Sequence, residues 1–113
     1  MLRRLALLTA LSISAVAQAD GGKFATAGIT NMSCGAYLKE AEENPSARSA
    51  YGFWIAGFVT GENAAKNRMT STDAPAAQAW VDNYCRENPL DLFVMAAVRL
   101  DEELDRRAGK KHK

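Results

Sequence analysis

Cysteine and histidine are the side chains best suited to nucleophilic or metal chemistry, and this chain of 113 residues contains three of them. They are Cys34, Cys85 and the penultimate residue, His112. A protein zinc site normally takes four Cys, His or acidic ligands, and a redox pair normally has the close spacing Cys-x-x-Cys. His112 lies too near the printed end for the rigid placement that acid–base catalysis requires. These residues argue against a zinc enzyme and against a Cys–His nucleophile.

Neighbouring carboxylates are the other candidates for acid–base chemistry, and they occur at Glu42-Glu43 and at 101–103. We expect both groups to lie on solvated helix surfaces. The sequence has no G-x-S-x-G, H-E-x-x-H or phosphate-binding glycine motif. The polar sequence Gly61-Glu62-Asn63 follows an aromatic stretch, and its residues suggest no catalytic mechanism. We therefore expect no enzyme activity, no metal ion and no cofactor.

The first 19 residues have the three parts of a secretory signal peptide. Arg3 and Arg4 form the positive region, residues 5–16 form a short apolar stretch, and Ala17-Gln18-Ala19 is a small-x-small cleavage site. A membrane-spanning helix needs about 20 apolar residues, so this stretch is too short to be one. We expect a periplasmic protein that begins at Asp20 and has no membrane span.

Export changes what the two cysteines predict, because disulfides persist in oxidising compartments. A bond between Cys34 and Cys85 would close a loop of about 50 residues and contribute roughly 4 kcal/mol in the chain-entropy model. A redox or metal role is the alternative, and the partners that such a role needs are absent from the sequence.

Charge is distributed unevenly along the exported part of the chain. Residues 20–105 carry seven positive and thirteen negative side chains, a net charge of −6, whereas residues 106–113 carry five positive ones. The formal charge of the whole chain is +1, which predicts no nucleic-acid partner. The basic tail is interpreted as the solvated end of a helix, as a contact for an anionic surface, or as a sequence added for expression.

Apolar spacing predicts four helices and no strand after a flexible leader at 20–32. The first helix runs from its N-cap Ser33 to Glu43 and is stopped by Asn44-Pro45. The second begins at Ser46 or Ser49 and ends at Met69. The third lies between Asp73 and Glu87, and the fourth has Asn88 as its N-cap and Pro89 as its first residue.

The faces of these helices predict how they pack. In the second helix, Gly57 and Gly61 would let another helix approach closely. In the third, Asp82 and Arg86 would form an i,i+4 ion pair. The fourth helix has an expected core stripe with 3-4 spacing, and this stripe consists of Leu90, Phe93, Ala97, Leu100 and Leu104. The prediction is a small single-domain all-α bundle of about four helices, held by one disulfide.

The order of certain residues resembles a known family. It comprises Cys34 with Tyr37-Leu38, then Asn44-Pro45, then Trp54 in an aromatic helix, then Tyr84-Cys85-Arg86-x-Asn88-Pro89. These residues are similar to those of the HdeA/HdeB-type periplasmic acid-stress chaperones, over about Ser33 to Leu104. The segment from Trp54 to Asn63 resembles uncharacterised bacterial relatives of that group. A fainter similarity exists to disulfide-bonded helical immunity proteins of type VI secretion systems.

The resemblance implies an HdeA-like helical domain at 33–105 that is a homodimer at neutral pH. In those chaperones, low pH loosens the dimer and exposes apolar surface that holds unfolding proteins. The side chains that would face a client or partner are Tyr51, Phe53, Trp54, Phe58, Leu92 and Met95. A role of these residues in the core is the alternative.

The function expected from the sequence is therefore that of an exported non-enzymatic binding protein, a holdase that acts in acid stress. The alternative is a periplasmic inhibitor or immunity protein that blocks a single protein partner, such as a secreted toxin. Both functions require protein partners.

The cleavage site gives a direct prediction about the exported protein. N-terminal sequencing of the periplasmic fraction should read Asp-Gly-Gly-Lys from Asp20, because small residues occupy the two positions that signal peptidase recognises. A chain that begins at Met1 in the membrane pellet would contradict this prediction.

Overall fold

A computed structural model describes residues 31–111, with the side chains of residues 31–109. This part of the chain forms four helices and no strand: α1 (Cys34–Glu43), α2 (Pro45–Lys66), α3 (Ala74–Glu87) and α4 (Phe93–Lys111). The expected all-α bundle is confirmed. The expected signal peptide, almost all of the leader, and His112 lie outside the described residues.

Side-chain caps define where α1 and α2 begin. Ser33 is the N-cap of α1, as expected, and its Oγ accepts a hydrogen bond from the N–H of Ala36 at 3.1 Å. Asn44 ends α1 and is also the N-cap of α2, since its Oδ1 accepts from the N–H groups of Ser46 and Ala47. Pro45 is therefore the first residue of α2, where its missing N–H costs no hydrogen bond.

The second helix ends three residues earlier than the apolar pattern predicts. Asn67 adopts the left-handed conformation, with φ 51° and ψ 44°, which terminates α2 at Lys66. The turn redirects the chain so that Arg68 enters the interior of the protein, where it is 8% exposed. The sequence prediction of a helix to Met69 is therefore wrong by one turn.

The predicted start of the fourth helix is also wrong. Asn88 ends α3, since both its backbone N–H and its side-chain Nδ2 donate to the carbonyl oxygen of Tyr84. The helix begins instead at Phe93, whose N–H donates to the carbonyl of Met32 at 2.8 Å.

The physical reason is that the segment 89–92 pairs with the start of α1. The carbonyl oxygens of Asp91 and Pro89 accept hydrogen bonds from the N–H groups of Cys34 (2.7 Å) and Gly35 (3.0 Å). Satisfying the free N–H groups of α1 in this way holds 89–92 in a non-helical conformation. Leu90 is consequently 94% exposed and does not belong to the core stripe.

The core lies between all four helices and is fastened by the predicted disulfide. Cys34 and Cys85 are bonded, fully buried, and join the start of α1 to the end of α3 with a Cα–Cα distance of 4.8 Å. Around the bond, Tyr37 packs against Tyr51 and Phe93, with ring centroids 5.1 and 4.5 Å away. The rest of the expected stripe on α4 is buried here and consists of Ala97, Leu100 and Leu104.

The close helix approach expected at Gly57 and Gly61 of α2 is not found among the described residues. A Cβ placed at Gly57 or Gly61 would have no described neighbour within 4 Å, so no described helix packs closely there. The close approach is at Gly52, where a Cβ would lie 2.8 Å from the Oε1 of Gln78 on α3.

The disulfide should dominate the stability of so small a domain. Cys34→Ala and Cys85→Ala should each lower the free energy of unfolding by about 2–5 kcal/mol, because the unfolded chain regains the freedom of a loop closed across 51 positions. The double variant should be no less stable than the weaker single variant. Two titratable thiols in the protein purified without a reductant would contradict the assignment.

Candidate functional site

The end of α2 and the middle of α4 are joined by a cluster of four charged side chains, which we call the α4 clamp: Lys66, Arg68, Asp101 and Asp105. The guanidinium of Arg68 lies 2.6 Å from a carboxylate oxygen of Asp101 and 2.7 Å from one of Asp105. The Nζ of Lys66 lies 2.5 and 2.9 Å from the same two carboxylates. Asp101 and Asp105 are four residues apart on α4, so both face α2.

Arg68 is the most deeply placed charge of the clamp, since only 4% of its side chain is exposed. Its Nε donates to the Oδ1 of Asn63 at 2.6 Å, and one Nη donates to the backbone carbonyl of Asp101 at 3.2 Å. Glu62 extends the cluster towards solvent, 3.4 Å from Lys66. The polar sequence 61–63 therefore helps to attach α4, a role that its composition alone does not indicate.

The carboxylates at 101–103 were expected on a solvated surface, and Asp101 does not fit that expectation. It is 6% exposed, because it lies on the same face of α4 as the core residues Ala97 and Leu104. Glu102 is on the exposed face and pairs with Arg99 at 3.0 Å. Because consecutive residues of a helix point in different directions, Asp101 is buried and its neighbour Glu102 is solvated.

The clamp shifts the protonation of its members. Hydrogen bonds from Lys66 and then Arg68 lower the pKa of Asp105. The hydrogen bond to Asp101, followed by that to Asp105, raises the pKa of Lys66. Because the folded-state pKa of Asp105 is below the unfolded value of about 3.9, its stabilisation is complete above that pH. The stabilisation is lost as the pH falls towards the folded-state value.

A second polar network lies between α1, α2 and α3, and it is centred on Asp82, which is 5% exposed. Its two carboxylate oxygens accept hydrogen bonds from the hydroxyl of Tyr37 at 2.6 Å and the guanidinium of Arg48 at 2.9 Å. The predicted pair of Asp82 with Arg86 is wrong, since Arg86 donates to Asn83. Asp82 faces the core, so its partners come from other helices.

Tyr37 is held in its protonated form within this network. Burial, followed by the hydrogen bond to Asp82, raises the pKa of Tyr37 well above its usual value. The hydroxyl consequently acts as a donor to Asp82 and as an acceptor for the Nε2 of Gln78, which lies 3.3 Å away.

The six apolar residues expected to face a partner differ widely in their exposure in the folded protein. Tyr51 is 3% exposed, its hydroxyl donates to Glu40, and burial is the main reason that its pKa is raised to about 12. Trp54 and Phe58 are half-buried and stacked, with centroids 5.6 Å apart. The other three differ in exposure: Phe53 is 76% exposed, Leu92 is 44% exposed and Met95 is half-buried.

Two further apolar side chains are almost fully exposed, although the helical pattern of the sequence does not predict their exposure. They are Met69 and Leu90, at 93% and 94%. Each follows a turn that the helical pattern missed, which is why the pattern placed Met69 in a helix and Leu90 in the core.

Comparison with family models, with curated proteins and with solved structures finds no match to this chain. Among residues 31–111, no helix has the length and apolar character needed to cross a membrane. The same residues contain no group of three or more His, Cys, Asp or Glu side chains arranged to hold a metal ion.

The clamp predicts a large difference between two adjacent acidic residues. Asp101→Asn should lower the free energy of unfolding at pH 7 by about 3 kcal/mol. The variant removes one of the two negative charges that neutralise the buried guanidinium of Arg68. Glu102→Gln, which removes only a solvated pair with Arg99, should leave the unfolding midpoint unchanged. Denaturant unfolding followed by circular dichroism measures both, and equal effects would contradict the structural assignment.

Proposed function

We propose that this protein is an exported non-enzymatic binding protein that loosens in acid and then holds unfolding proteins on its apolar surface. The observation that carries the proposal is the burial of Arg68, with 4% of its side chain exposed, against two carboxylates. A carboxylate loses its charge in acid, whereas a guanidinium does not. The attachment of α4 therefore depends in part on carboxylates, whose charge is lost in sufficiently strong acid.

The first step is the loss of the clamp. When Asp101 and Asp105 are protonated, Lys66 and Arg68 are two neighbouring cations with no anionic partner between them. Removing one partner of a buried ion pair costs about 3–5 kcal/mol. The whole stability of a small domain is about 5–15 kcal/mol, so this loss is a large share of it.

The second step is repulsion across the whole domain. Residues 20–105 change from a net charge of −6 to +7 when all their carboxylates are protonated. Like charges distributed over a small body favour its expansion. The charge change acts in the same direction as the loss of the clamp.

The third step is the exposure of aromatic surface that α4 covers at neutral pH. Phe93 at the start of α4 packs against Tyr51 and Trp54, with centroids 5.3 and 5.5 Å away. Release of the clamped part of α4 would uncover its buried residues Ala97, Leu100 and Leu104 and would loosen the packing of Phe93 on both rings. The disulfide joins α1 to α3 and does not involve α4, so it would keep the remaining helices together.

An aggregation assay tests the proposal directly. The protein should suppress the aggregation of an acid-denatured client at pH 3 and not at pH 7, and a hydrophobic dye should bind at pH 3 only. Equal dye binding and no suppression at either pH would contradict the proposal and would favour an inhibitor of a single partner.

A matched pair of variants connects this activity to the clamp. Asp105→Asn imitates protonation, so it should move the onset of dye binding upwards by roughly 0.5–1 pH unit. Glu102→Gln removes the same charge from the same helix outside the clamp, and it should leave the onset unchanged. Equal shifts in the two variants would assign the response to overall charge alone.

A further inference from the structure

A groove of about 470 Å³ lies between the first half of α2 and the start of α3. Its volume falls within the usual range for sites that bind small molecules or short peptide segments, about 300–1,000 Å³. The lining residues are mostly apolar or small and comprise Pro45, Arg48, Ser49, Gly52, Phe53, Ala74, Pro75 and Gln78. The groove takes no part in the clamp.

Gln78 presents a hydrogen-bond acceptor at the floor of this groove. The side chain of this residue belongs to the interior, since the residue is 7% exposed. Its Nε2 donates to the backbone carbonyl of Arg48 at 2.9 Å and to the hydroxyl of Tyr37 at 3.3 Å. A carbonyl oxygen only accepts, and the Tyr37 hydroxyl proton is directed to Asp82, so the amide cannot be turned round.

The Oε1 of Gln78 is therefore fixed in position, and no described residue donates a hydrogen bond to it. It lies over Gly52, where an added Cβ would be only 2.8 Å away. Glycine at this position keeps the oxygen accessible from the groove. A nearly buried acceptor without a protein donor is a feature that a ligand N–H can satisfy.

The rim supplies the complementary charge. Arg48 is the only charged side chain among the residues that line the groove, and 43% of its side chain is exposed. Its guanidinium uses one nitrogen to bind Asp82, and its other N–H groups donate to no described residue. These donors match the geometry of a carboxylate. Phe53, 76% exposed, provides an apolar wall beside Pro45 and Pro75.

We propose that this groove binds the carboxyl-terminal residue of an extended peptide when that residue is apolar. The peptide N–H of the last residue would donate to the Oε1 of Gln78, and its terminal carboxylate would accept from Arg48. Its side chain would pack against Phe53. This site belongs to the folded protein at neutral pH, so it goes beyond the acid-dependent holding of unfolded proteins and does not rest on it.

The test is a titration of the disulfide-bonded, ¹⁵N-labelled protein at pH 7 with acetyl-Ala-Ala-Leu, which has a free carboxylate. Saturable shifts should appear at the amide of Gly52 and at the side-chain NH₂ of Gln78. The same peptide with an amidated end should bind about tenfold more weakly, since it lacks the charge-assisted bond to Arg48. Absence of saturable shifts, or equal binding of the two peptides, would overturn the proposal.

Two exposed apolar residues give a matched pair of variants that should both fold. Phe53→Ser removes the wall of the groove and should weaken binding of the free-carboxylate peptide several-fold. Met69→Ser changes another exposed apolar side chain, one that does not line the groove, and should leave binding unchanged. Equal affinities of the two variants would overturn the proposed site. Because the titration is done at pH 7, a negative result leaves the acid-dependent aggregation assay as a separate test of the proposed function.

Discussion

The guanidinium of Arg68 is a permanent charge placed where solvent reaches only 4% of its side chain, and its neutralisation by Asp101 and Asp105 fixes the position of α4. A buried cation is tolerated only while its partners remain charged. The left-handed turn at Asn67 is what directs Arg68 inwards. Besides the apolar packing of α4, its attachment to the rest of the domain thus depends on the turn at Asn67 and on the ionisation of two carboxylates.

The other internal connections respond differently to acid. The disulfide between α1 and α3 does not titrate, and the backbone pairing of the segment 89–92 with the start of α1 involves neutral amides. Asp82 is also buried, but it has the neutral hydroxyl of Tyr37 as well as Arg48 as a partner. The domain therefore combines a permanent connection between α1 and α3 with a pH-dependent connection to α4. This division of roles supports the proposal of a binding surface that is released in acid.

The sequence predicted the features that depend on neighbouring residues. The cap at Ser33 and the stop before Pro45 are local, and the disulfide follows from the cysteine count once the chain is expected to be exported. The i,i+4 spacing predicts a pair of Asp82 with Arg86, whereas the partners of Asp82 in the structure, Tyr37 and Arg48, are 45 and 34 positions away. The clamp and the start of α4 were missed for the same reason, since both depend on contacts between distant segments.

Hydrogen exchange followed residue by residue as the pH is lowered tests the central claim most directly. Wild-type protein should lose protection of the α4 amides as the pH falls from about 3.9 towards 3, because the clamp holds the pKa of Asp105 below its ordinary value of about 3.9 and its stabilisation is lost in that direction. The amides of α1 and α3 next to the disulfide should remain protected over that range, after correction for the intrinsic exchange rate. Loss of protection in all four helices together, or full protection of α4 at pH 3, would contradict the account.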